Sequence, residues 1–93
     1  MTRSEILAAA NRIVTGEREA QYNSPERSFE TIAAFWSAYL HADISAVDVA
    51  CMMALLKIAR VKTGSGKADN WIDLAGYAAC GGEIEDQVVT VRG

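Results

Sequence analysis

Between Val47 and Ala59 only Asp48 and Lys57 carry charge, and nearly every other side chain is apolar. A helix that is apolar almost all round is satisfied only at the centre of a bundle or at a subunit interface. The flanks confirm a helix rather than a buried strand. Ser45-Ala46-Val47-Asp48 has the capping-box pattern, with Asp48 at the third position in place of Glu. Lys57, Arg60 and Lys62 gather toward the other end, where the macrodipole favours cations.

Three further helices frame this one. Thr2-Arg3-Ser4-Glu5 is a second capping box, followed by Ile6, Ala10, Ile13 and Val14 at helical spacing and stopped by Gly16. A polar stretch leads to Asn23, a residue that tolerates a turn. Ser24-Pro25 then opens the next helix, Ser as N-cap and Pro at the first helical position. Phe29, Ile32, Ala33, Trp36 and Leu40 make one stripe on it, and Phe35 and Tyr39 widen that stripe enough to predict burial on two sides. His41, the only histidine, ends the helix and has no Ser or Cys arranged with it as a triad. After the loop Thr63–Lys67, Asp69 is expected to cap a last helix running to Gly81-Gly82. Gly76 inside that helix predicts a close helix crossing. The expected fold is all-α: a compact four-helix bundle over residues 1–85, with residues 86–93 as a C-terminal tail.

At 93 residues, with much of its 51% hydrophobic content in alanine, such a bundle buries little area per residue. Homo-oligomerisation is therefore expected. The net charge of −3 and nine scattered Lys and Arg argue against duplex nucleic acid as a partner. Cys51 and Cys80 have no CxxC spacing and read as buried free thiols. No leader-like segment and no apolar run of membrane length occurs, so a cytoplasmic protein is expected.

Few residues here can carry chemistry. Asp69 and Asp73 lie one turn apart on one helix face, the spacing that lets two carboxylates share Mg²⁺ with a phosphate. The plainer alternative makes Asp69 a cap and pairs Asp73 with Lys57, Arg60 or Lys67. If the last two helices are antiparallel, Lys57 and Arg60 meet the helix start beside Asp69 and Trp71, a nucleotide-sized subsite of cations, helix N-terminus and ring. The same geometry sends Asp48 to the far end, which weakens a three-carboxylate cluster. Arg18, Tyr22 and Arg27 flank the polar turn and can stack on a base and hold phosphate, although solvated surface explains them as well. Gly64-Ser65-Gly66-Lys67 is no phosphate loop: Lys67 precedes Ala68 and no strand leads into it.

Three stretches carry a resemblance: Tyr22-Asn23-Ser24-Pro25 with Phe29-Glu30-Thr31-Ile32-Ala33 and Trp36-Ser37-Ala38-Tyr39-Leu40; Asp48-Val49-Ala50 with Leu55–Arg60; and Asp69 with Trp71–Ala78. Over about residues 15–85 they resemble a family of small uncharacterised phage and prophage proteins. That family commonly has Tyr-Gly and Asn-Phe where this chain has Tyr22-Asn23 and Ser28-Phe29. It is in turn distantly similar to the MazG-like all-α nucleotide pyrophosphohydrolases, whose Glu-x-x-Glu and Glu-x-x-Asp pairs hold Mg²⁺ and a triphosphate. The resemblance matches Asp73 to the last Asp, but no Glu-x-x-Glu precedes the third helix, and Cys51 stands where Asp48 would need a second carboxylate. It implies a nucleotide-binding phage protein that sequesters its ligand, such as a second messenger of host antiviral defence, without turnover and without a cofactor. The expected ligand set is Arg18, Tyr22, Arg27, Lys57, Arg60, Asp69, Trp71 and Asp73. The competing expectation is a Mg²⁺-dependent pyrophosphohydrolase using Asp69, Asp73 and Asp48.

Overall fold

The computed structural model describes residues 1–16, 25–64 and 66–92, and all of their side chains except those of residues 25 and 88–92. Its described elements are four helices: α1 (Arg3–Thr15), α2 (Pro25–Leu40), α3 (Ala46–Thr63) and α4 (Ala68–Arg92). The all-α four-helix expectation holds. Ser24, the predicted cap of α2, lies outside the described residues.

Both capping boxes form. The Thr2 hydroxyl accepts the Glu5 N–H at 3.1 Å, and Glu5 Oε1 accepts the Thr2 N–H at 2.8 Å. At α3 the Ser45 hydroxyl accepts the Asp48 N–H at 3.0 Å, and Asp48 Oδ2 accepts the Ser45 N–H at 2.9 Å. The backbone and hydroxyl hydrogen bonds from Thr2 hold the Glu5 carboxyl below its ordinary 4.5. A depressed carboxylate contributes stability above its unfolded pKa and loses it as pH falls through the folded one. The Glu5 amide and carboxyl NMR signals are therefore expected to titrate together below pH 4.5, with α1 fraying from its start. Titration at or above that value would contradict the box.

The end of α2 is equally specific. His41 adopts φ 52, and the Ala42 N–H reaches back to the Ser37 carbonyl at 3.2 Å, a Schellman closure with a histidine in the left-handed position. The Ser37 hydroxyl donates to the Ile44 carbonyl at 3.1 Å and accepts its N–H at 2.9 Å, tying the connection to α3. His41 thus ends its helix as expected.

α4 is the spine. By helical rise its 25 residues extend about 37 Å, and the longest dimension of the chain is 37 Å. α3 lies antiparallel along it: Ala50 packs at Gly81, and Lys57 pairs with Asp73. α1 packs on the first half of α4, where Ala9, Ala10 and Ile72 form a small cluster with Ile6, Ala68 and Ala75. α2 closes the other half, and Phe29, Ala33, Val49, Ala50, Cys80 and Ile84 form the main core there.

Four expectations need correction. α4 does not stop at Gly81-Gly82 but runs through both glycines to Arg92, so the expected tail begins as helix. At Gly81 a Cβ would lie 2.9 Å from the Ala50 Cβ, and at Gly76 one would lie 3.2 Å from Val14 Cγ1. The Gly76 crossing is thus as predicted, while Gly81 is a second crossing rather than a terminator. α4 also starts at Ala68, so Asp69 sits inside the first turn instead of capping it. Cys51 is exposed; only Cys80 is buried. Finally, Phe35 and Tyr39 are 71% and 84% exposed, so α2 is covered on one side only. The same is true of α3: Val49, Ala50 and Lys57 face inward, while Cys51, Met52, Leu55, Leu56 and Ile58 face out.

Candidate functional site

Of the eight residues singled out from the sequence, the described structure joins one pair. Lys57 Nζ lies 2.8 Å from Asp73 Oδ2, with side chains 10% and 27% exposed. The antiparallel packing of α3 on α4 brings this about, since Lys57 is the one charge on the inward face of α3. A buried ammonium requires a counter-charge, and Asp73 supplies it at the level of the Gly76 crossing. Arg60 lies three residues further along and is exposed, as is Asp69. Trp71 is 48% exposed on the outer side of α4. Arg27 stands in the first turn of α2, exposed, with its carbonyl accepting the Thr31 hydroxyl. Arg18 and Tyr22 lie outside the described residues.

The same carboxylate borders a hollow that the sequence reading did not single out. α1 and α4 cross closely at Gly76, and beside the crossing opens a shallow space of about 370 Å³, counting the part open to solvent. Ile13, Val14, Ile72 and Cys80 give it an apolar lining, to which Asp73 and Tyr77 also belong. The Tyr77 ring is braced by Phe29, its centroid 6.2 Å away with the planes tilted by 36°. Asp73 and Tyr77 are four residues apart and therefore share a face. That spacing was the available signal, and only the position of α1 turns it into a hollow.

This arrangement can seat a flat ring, offering it an aromatic side chain and a carboxylate that accepts N–H groups. Asp73 is engaged by Lys57, Asp48 is engaged in the cap at the other end of α3, and no group of three His, Cys, Asp or Glu converges among the described residues. No described helix is long and apolar enough to cross a membrane.

Comparison with known proteins places the chain among phage proteins. It is 44% identical over 84 residues to the Gene 55 protein of Mycobacterium phage D29, covering 90% of this chain and 56% of that protein. It is 40% identical over 74 residues to the Gene 55 protein of Mycobacterium phage L5, covering 78% of this chain and 47% of that one. The chain thus spans about half the length of the curated relatives it matches. No solved structure matches it. The model of a domain of unknown function, DUF6378, matches residues 5–85, and the chain belongs to that family.

Proposed function

We propose that this chain binds a nucleotide and holds it without turnover, as a homo-oligomer in the cytoplasm of the host cell. The observation that carries the reading is the hollow between α1 and α4, lined mainly by apolar side chains together with Asp73 and Tyr77. A base seated there would donate its N–H groups to Asp73 and lie against Tyr77. Arg60 and the first turn of α4 would meet the phosphates, with Asp69 and Trp71 on the same turn. Lys57 serves mainly to position Asp73, because its charge is already spent on that carboxylate. The phage origin of the relatives supports a ligand from host antiviral defence, a nucleotide second messenger withdrawn by sequestration.

Holding is favoured over hydrolysis because the MazG-like reading needs carboxylates that converge, and Asp48 and Asp73 serve different ends of α3. Calorimetry against a panel of cyclic and ADP-ribose-type nucleotides is expected to give one ligand, its affinity reduced about tenfold by Tyr77→Ala, as for loss of one aromatic contact. Heat from none of them would end the reading. Incubation with nucleoside triphosphates and Mg²⁺ is expected to leave them intact. Cleavage abolished by Asp73→Asn would replace sequestration with pyrophosphohydrolysis.

A further inference from the structure

The outward face of α3 is symmetric in a way that self-association would use. Asp48, Met52, Leu55, Ala59 and Lys62 follow one another at alternating steps of four and three, so they form a single stripe, and all five are exposed to solvent. Cys51, Leu56 and Ile58 broaden it. Leu55, 63% exposed, is its midpoint, seven residues from an acid at one end and seven from a base at the other.

We propose that this face is a two-fold interface in which α3 of one copy lies antiparallel against α3 of a second copy. The pairing centres on Leu55 against its own symmetry mate. It places Met52 against Ile58, Cys51 against Ala59, and Asp48 against Lys62, each pair formed twice. Self-complementarity of one patch is what an isologous dimer requires. A parallel pairing would instead put like charges opposite each other at both ends.

The proposal rests on the homo-oligomeric part of the functional reading and not on its ligand.

Light scattering decides the first step. The natural chain is expected at twice 10.0 kDa, and Leu55→Glu at 10.0 kDa with its helical circular dichroism unchanged, since the substituted side chain is already exposed. Orientation is read by cross-linking in a Cys51→Ser background. Mixing Asp48→Cys chains with Lys62→Cys chains is expected to give a disulfide-linked pair, and either chain alone none, because like positions then lie about 21 Å apart along the helices. Leu55→Cys alone is expected to cross-link to itself. A natural chain that runs as a monomer overturns both this interface and the oligomer, leaving the face to a further segment of a longer chain or to a host protein. An oligomer that survives Leu55→Glu, or a mixture that fails to cross-link, overturns the interface and leaves the oligomer standing.

Discussion

A valine at Gly81 is expected to cost about 3 kcal/mol, the upper range for overpacking a fitted contact, and to lower the melting temperature by roughly 15 °C. Even a single Cβ there would stand 2.9 Å from the Ala50 Cβ, and a methyl on a helix backbone cannot swing aside. The branched side chain would force α3 away from α4 at the level of the main core. The neighbouring glycine gives the control. A Cβ at Gly82 meets nothing within 4 Å, so Gly82→Ala is expected to stabilise the chain by about 1 kcal/mol through helix propensity alone. Adjacent glycines should thus respond with opposite signs in thermal melts. Combining Gly81→Ala with Ala50→Gly is expected to recover the fit. Equal responses at the two positions would show that Gly81 is not a crossing.

Truncation of Asp73 to alanine is expected to cost about 2 kcal/mol, because it leaves the Lys57 side chain, 10% exposed, without its carboxylate. The figure is set below the range for fully buried pairs because Asp73 remains 27% exposed and solvent screens it. Replacing both partners, Lys57→Met with Asp73→Leu, is expected to restore most of the loss, since an apolar pair leaves no stranded charge. Urea denaturation of the two single variants and the double variant gives the coupling directly. The double variant also separates structure from function: it should fold, yet fail to bind the nucleotide that the natural chain holds. Retained binding would show that Asp73 only balances Lys57.

Much of the local structure was legible because caps are local chemistry. Thr2 with Glu5 and Ser45 with Asp48 satisfy backbone groups within three residues, so sequence spacing suffices to find them. Gly76 was readable as a crossing because an interior glycine in a helix needs some such reason. Gly81-Gly82 misled for the converse reason. Paired glycines usually end helices, and only the position of Ala50 reveals that one of them admits a neighbour. Phe35, Tyr39 and Cys51 misled in another way: apolar periodicity says which residues share a face, not which of several faces the chain itself covers. For the candidate site, the possibility that Lys57 pairs with Asp73 was visible once α3 and α4 were taken as antiparallel. The hollow was not, because it is formed by α1 against α4, two helices far apart in the chain.

That separation bears on how the protein is made. α1 is synthesised before the other three helices, yet Ile72 and Gly76, against which it packs, follow some sixty residues later. Until then Ile6, Ala9, Ala10 and Val14 have no native surface to cover them, and a 13-residue helix alone is marginal in water. α2 and α3 can meet early, but α4 must be largely synthesised before either cluster closes. These four helices therefore gain their packing almost at once, when α4 emerges, with α1 docking onto α4.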